Sequence, residues 1–246
     1  DKGYTILTCR MVRRKPTHMT NIGWTHFRDK IDLEWMRNAV FPPEKLSEVY
    51  KNTKSNFMHC PAHANFLKNY WVIKSPFDLS VKYDRQTDSY QIDQTQKFAD
   101  DFLIPRGGEF TESDHALCSI HLSYLFVADE PVWISVLPPF LHGDVPNTRL
   151  ICGTYNIYNW QRPIDFSFEI LDDKKPVDIK RGQPLMYVSF ASKRLNETFR
   201  MKEIEMNDEL VRIVKSCLPS KYFNRGMLGW AMHLIGNKSR PKRLVK

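Results

Sequence analysis

The chain has 246 residues, of which 42% are hydrophobic and 26% charged, with 10 glycines and 15 prolines. These proportions exclude wholesale disorder, collagen-like repeats and Gly/Ser linker composition. The formal charge is +8, which permits an anionic partner.

The first 110 residues read as a mixed α/β portion. Tyr4 to Val12 alternates loosely and carries β-branched residues, so a strand is expected there. Residues 14–42 show no clean period and read as loop. Pro43-Glu44-Lys45-Leu46 with Val49 and Tyr50 predicts a short helix with proline and an acid in its first turn. Cys60-Pro61 opens a second, carrying Ala64, Phe66, Leu67 and Tyr70. Trp71-Val72-Ile73 reads as a buried strand. Leu79, Val81 and Tyr83 alternate with polar residues, and the stretch Asp84 to Ser89 turns the chain into Tyr90-Gln91-Ile92, a hairpin. Gly107-Gly108 reads as a bend.

Residues 115–206 carry the clearest pattern. Cys118, Ile120, Leu122, Tyr124 and Phe126 alternate with polar residues. Trp133, Ser135 and Leu137 share one face and are read as core. Leu150 to Ile157 follows as one run. Phe166, Phe168 and Ile170 alternate again, then Val177 and Ile179, Leu185 to Phe190, and Phe199 to Ile204. Period-two patterning in short runs broken by Pro, Gly and Asp is the mark of an antiparallel sandwich or barrel.

Residues 207–246 read as a helical extension. Asn207 is a good cap, Asp208 and Glu209 suit the first turn, and Leu210, Val211, Val214 and Cys217 form one apolar stripe. A second helix is expected over residues 225–236. The last nine residues hold Lys238, Arg240, Lys242, Arg243 and Lys246 and no acid, leaving +3 for the rest of the chain. That tail is the expected contact for an anionic partner. The fold class is therefore α+β: an antiparallel β-sandwich or barrel, β-clip or jelly-roll-like, with an N-terminal α/β portion and C-terminal helices. One main domain spans 1–206.

No stretch reaches the ~18 apolar residues of a membrane helix. The start, Asp1-Lys2-Gly3-Tyr4, shows no charged-then-apolar leader. The five cysteines are odd in number and scattered, so reduced thiols and a cytoplasmic location are expected. Asn196-Glu197-Thr198 matches a glycosylation acceptor and, without a leader, is read as chance.

Two clusters have the residue types of a metal site. His59-Cys60-Pro61-Ala62-His63 places two imidazoles four residues apart around a soft sulfur ligand. His142-Gly143-Asp144 with His233 has the composition of the facial triad of non-haem iron oxygenases. Each also reads as ordinary structure: a helix start for the first, a turn for the second. No cofactor is predicted outright; iron or zinc belongs to these alternatives. No Walker loop, dinucleotide fingerprint or nucleophile elbow is present.

The segments Gly153-Thr154-Tyr155-Asn156-Ile157, Phe166-Ser167-Phe168 and Val177 to Leu185 resemble the late strands of dUTPases and dCTP deaminases. That resemblance implies a nucleotide pocket lined by Trp133, Asn156, Tyr158, Trp160 and Arg162, with aromatic faces for a base and Arg for phosphate. The family's sugar-binding Asp falls on Asn156, and its stacking Tyr on Asn159 beside Tyr158. A second resemblance spans residues 57–194. Cys60-Pro61, Trp71-Val72-Ile73, Ser75-Pro76-Phe77-Asp78-Leu79 and Ile179 to Pro184 are similar to an uncharacterised family of bacteria and of tailed phages of marine bacteria. It implies a phage-related protein, in the host cytoplasm.

Three functional classes follow. The first is a binding or structural protein without a complete catalytic set. The second is a nucleotide hydrolase of the dUTPase kind. The third is an iron oxygenase using His142 and Asp144. The sequence leaves open whether the chain is an enzyme.

Overall fold

The computed structural model describes residues 18–27, 39–49, 60–93, 103–110, 114–194, 197–217 and 243–245. The expected strand at Tyr4 to Val12, the expected helix over 225–236, His59 and His233 lie outside them.

Fourteen strands form three sheets among the described residues. The first sheet holds β1 (Met19–His26), β6 (Leu103–Phe110), β7 (Ala116–Ala128), β9 (Thr148–Leu150), β11 (Pro163–Ile170) and β14 (Thr198–Glu203). Its order is β14-β1-β7-β11-β9, with β6 on β7. The second has the order β10-β8-β13-β3-β2, from β2 (Glu44–Lys45), β3 (Tyr70–Lys74), β8 (Trp133–Leu137), β10 (Gly153–Asn156) and β13 (Pro184–Ala191). The third joins β12 (Val177–Ile179), β4 (Leu79–Asp84) and β5 (Ser89–Asp93). The expected β-sandwich architecture is therefore present.

The alternation read from the sequence explains the core. Ile22 and Trp24 of β1, Tyr124 and Phe126 of β7, and Phe166 and Phe168 of β11 face inward from the first sheet. Trp71, Ile73, Ile134, Met186, Val188 and Phe190 meet them from the second. Phe190 is the hub: its ring lies 5.2 Å from Trp71, 5.7 Å from Phe126 and 6.0 Å from Phe199. Leu79, Val81, Tyr83, Val177 and Ile179 of the third sheet close the same core. Each such side chain contributes roughly 1.5–3 kcal/mol when fully removed from water.

Helices cover the outer faces. Helix α1 (Leu46–Val49) and α2 (Pro61–Leu67) place Leu46 and Leu67 on Val72 and Tyr187 of the second sheet. Helix α3 (Asp208–Cys217) lays Leu210 and Val214 on Leu125 and Val127 of β7. It starts at the expected cap, where the Leu210 N–H donates to Asn207 Oδ1 at 2.8 Å. Its buried stripe includes Ile213, while Val211 is half-buried.

Several expectations need correction. Residues 19–26, read as loop, form β1 near the middle of the first sheet. The segment is buried on both faces from Ile22 to Thr25, so Gly23 and Thr25 are covered as well as Ile22 and Trp24. Gly23 is required there: a Cβ would stand 3.0 Å from both Ile204 Cδ1 and Val127 Cγ2. Strand β1 also runs parallel to β14, so the sheet is mixed rather than purely antiparallel. In β8 the core residues are Ile134 and Val136; Trp133, Ser135 and Leu137 are half-buried on the outer face. The run Leu150 to Ile157 is split, because exposed Ile151 and Cys152 carry the chain from β9 in one sheet to β10 in the other. Residues 44–49 divide between β2 and α1. Gly107 and Gly108 lie within β6.

The hairpin read at 79–92 is present, with Tyr83 opposite Tyr90 and Asp84 opposite Ser89. The Gln86 N–H donates to Asp84 Oδ1 at 2.9 Å, which closes its turn.

The end of the chain is anchored. The Leu244 N–H donates to Asp129 Oδ1 at 2.6 Å, and the Val245 N–H to Asp129 Oδ2 at 3.2 Å. Val245 is buried beside Leu125, Val127, Leu210 and Val214. Residues 244–245 are thus docked on the sheet, while Arg243 is exposed. Asp129→Ala is expected to cost about 1–2 kcal/mol, because two backbone donors lose a charged acceptor. Limited proteolysis should then release the C-terminal residues at a protease level that leaves the parent chain intact. Equal protection of both chains would show that the carboxylate does not hold the terminus.

Candidate functional site

The two main sheets do not close on each other along one side. Strand β14 is an edge of the first sheet and β2 an edge of the second. Between them lies a cleft of about 640 Å³. Its floor is Trp24 of β1, Trp71 of β3 and Phe199 of β14, side chains that belong to the core and reach its margin here. Met19, Val49 and Met201 add apolar walls. Met19 is 59% exposed and Val49 is 40% exposed, both large values for apolar side chains.

Charged groups line the same cleft. Glu44 of β2 is engaged, because Lys74 Nζ donates to both of its carboxylate oxygens at 2.7 Å. Lys45 points inward from β2, with Nζ 5.8 Å from the Trp71 ring centre. Arg200 of β14 is exposed on the other edge, and Glu48 of α1 is exposed at the rim. Among the described residues, neither Lys45 nor Arg200 forms an ion pair.

A buried carboxylate secures the edge. Glu197 precedes β14, and its side chain is only 3% exposed. It accepts hydrogen bonds from Thr20 Oγ1, from Ser192 Oγ and from His18 Nδ1, the last at 3.0 Å. Arg194 Nη1 lies 3.4 Å from it and 2.7 Å from Glu130. Asn69 ties the same corner to the second sheet: its Nδ2 donates to the Glu197 carbonyl at 3.1 Å, and its backbone carbonyl accepts from the Phe190 N–H.

The residues predicted for a nucleotide pocket divide into two groups. Trp133 and Asn156 are paired across β8 and β10, so they share the outer face of the second sheet. The neighbour Tyr155 pairs with buried Ile134 and faces the other way. Trp160 and Arg162 lie with Tyr155: its ring centre is 5.4 Å from that of Trp160, and the Arg162 guanidinium sits 4.8 Å from the Trp160 ring. Tyr158 lies in the turn after β10, where its N–H donates to Asn156 Oδ1 at 2.9 Å. The Trp160 N–H donates to the Asn156 carbonyl at 2.9 Å, so this turn joins the two groups.

The metal candidates are placed as follows. His142 closes the turn after β8, where its N–H donates to the Pro139 carbonyl at 2.7 Å, and Gly143 (φ 79°) and Asp144 follow it. His142 Nδ1 lies 2.5 Å from the Tyr187 hydroxyl. Burial pushes the His142 pKa below its ordinary value, and Lys74 nearby lowers it further. Asp144 is exposed. Cys60 caps α2, and the backbone N–H groups of His63 and Ala62 hold its exposed thiol below the usual thiol range. Among the described residues, no three His, Cys, Asp or Glu side chains gather as a metal site. Of the basic tail, Arg243 alone is among the described residues, and Lys238, Arg240, Lys242 and Lys246 lie outside them.

Sequence reasoning missed the cleft. Its signal was the spacing Ile22, Trp24, His26, which alternates inside a segment read as loop. No helix among the described residues is long and apolar enough to cross a membrane. No protein-family model matches the chain, and no curated protein matches it.

Proposed function

We propose that this chain is a binding protein, not a catalyst, and that its ligand seat is the cleft between β14 and β2. The observation that carries this reading is the cleft itself: about 640 Å³ of space floored by two tryptophans and a phenylalanine. That volume falls within the ~300–1,000 Å³ typical of ligand sites. Exposed Met19 and Val49 at its mouth gain from being covered. The resemblance of residues 57–194 to phage and bacterial proteins suits a phage-related binding or structural role in the host cytoplasm. The dUTPase-like alternative is weaker, because Trp133 and Asn156 lie on one face of the second sheet while Trp160 and Arg162 pack with Tyr155 in the connection to β11. The oxygenase alternative needs His233 beside His142 and Asp144, and His233 lies outside the described residues.

A thermal-shift screen tests the choice. Short peptides, lipids, dUTP and dCTP are each added to the parent chain and to Val49→Glu, a change at an exposed rim position. A cleft ligand should raise the melting temperature of the parent and lose that effect in the variant. Stabilisation by dUTP or dCTP that survives Val49→Glu would instead support the nucleotide enzyme. No stabilisation by any class at millimolar levels would overturn the cleft reading.

A further inference from the structure

We infer that the cleft takes an extended peptide, paired through its backbone to β14 and carrying apolar residues alternated with acidic ones. This rests on the cleft being the ligand seat.

The backbone of β14 argues for an extended chain. Its Thr198 N–H donates to the His18 carbonyl at 3.0 Å, and the Ile204 N–H to the Trp24 carbonyl at 2.9 Å. Along a strand, alternate residues point their N–H and C=O to opposite sides. The even-numbered residues therefore address β1, and Phe199, Met201 and Glu203 address the open side. The Phe199 N–H is met there by Asn69 Oδ1 at 3.4 Å. Met201 and Glu203 have no backbone partner on that side among the described residues. Unpaired strand groups beside an apolar trough are the arrangement used in strand addition, where main-chain bonds give affinity and pockets read alternate side chains. A segment of about five residues, at ~3.3 Å each, matches β14, which has six.

Charge selects the sequence of that segment. Lys45 and Arg200 project from the two edges that flank the cleft, without an acidic partner among the described residues. Glu44 cannot neutralise them, because it already holds Lys74. Glu48 is the remaining acid of the lining and suits a basic residue at one end of the peptide. The apolar side chains would rest on Trp24, Trp71 and Phe199. A second copy of this chain fits poorly: antiparallel pairing of two β14 strands about Met201 sets Arg200 of each against Lys202 of the other. Like charges directly opposed are destabilising. Arg200 thus both deters this edge from self-association and favours an acidic partner.

The test is selection of random twelve-residue displayed peptides on the parent chain. Enriched sequences should alternate apolar and acidic residues. A synthetic winner, followed by fluorescence anisotropy, should bind roughly tenfold more weakly to Arg200→Glu and to Met201→Pro. Proline removes the outward N–H of Met201 while leaving the bonds to β1. If Met201→Pro does not fold, N-methylation of alternate peptide amides asks the same question of the parent chain and should abolish binding in one of its two registers. Winners without acidic bias, or binding indifferent to both backbone changes, overturn the inference. The dye anilinonaphthalene sulfonate separates the two levels. If it binds the parent but not Val49→Glu while no peptide is enriched, the cleft reading stands and the peptide inference falls. If neither the dye nor any peptide binds, both fall.

Discussion

Replacing Glu197 with alanine is expected to lower the unfolding free energy by about 3 kcal/mol. Its carboxylate is shared by His18 and Thr20 at the start of β1 and by Ser192 and Arg194 at the end of β13. Strands β1 and β14 are parallel and lie far apart in sequence, so no hairpin sets their register. This side chain does so instead. Alanine removes the acceptor and leaves the buried Thr20 hydroxyl without its partner, together with a cavity. The melting temperature of a chain this size should fall by about 6–12 °C. Glu197→Gln keeps the shape and one acceptor oxygen, and the hydroxyls of Thr20 and Ser192 can rotate to suit it. It should cost only about 1 kcal/mol. Calorimetry on both variants checks the account. A glutamine variant as unstable as the alanine one would show that charge, not acceptor geometry, holds the corner.

The second large effect is a loss of stability in mild acid through His26. This ring packs edge-on against Trp24 at 5.6 Å and tilted against Tyr124 at 4.5 Å. Its Nδ1 is buried without a hydrogen-bond partner among the described residues. Burial pushes its pKa down to about 4, and a hydrogen bond to the Leu122 backbone only partly opposes this. The Tyr124 phenol beside it is pushed upward by burial and stays neutral. In the unfolded chain the imidazole binds a proton below its ordinary value of 6.5. Between pH 6.5 and about 4 the unfolded state therefore holds more protons than the folded one. Stability rises with pH across that window and is lost as pH falls through it. The contribution is on the order of 2 kcal/mol, reduced because the ring edge still meets water. His26→Phe keeps the aromatic contacts and removes the titration. Urea unfolding at pH 7 and pH 4.5 should show a smaller drop for that variant than for the parent chain. An identical drop would assign the acid sensitivity to other groups.

Much of the fold was legible. The inward residues of β4, β11 and β12 were read directly from period-two alternation, because each strand has one wet or partly wet face. The cap at Asn207 and the turn at Asp84 to Asp88 were legible because short side chains satisfy backbone groups locally. Strand β1 was not. Its alternation rests on Ile22 and Trp24 alone, and the cover that Ile204 and Val127 give Gly23 comes from distant segments that leave no local mark. The division of Leu150 to Ile157 was hidden for a related reason. Nothing local marks the two residues that pass from one sheet to the other.

The candidate site was less legible still. Trp133 and Asn156 share one sheet face, while Tyr158, Trp160 and Arg162 lie in the turn and connection after β10, whose path no local pattern sets. The seat assembles instead from β1, β2, β3, α1 and β14, elements drawn from both ends of the chain.

By itself, then, the sequence determined most of the strands between residues 70 and 203, where several turns and caps fall, and, through period-two patterning, that the fold is a β-sandwich or barrel. The tertiary structure alone decided which strands lie at the edges, that β1 pairs in parallel with β14, and that Glu197 is buried while the chain end is docked on Asp129. The reason is physical. Alternation and capping are encoded within a few residues, whereas edge position and the pairing of polar groups depend on which distant segment arrives alongside.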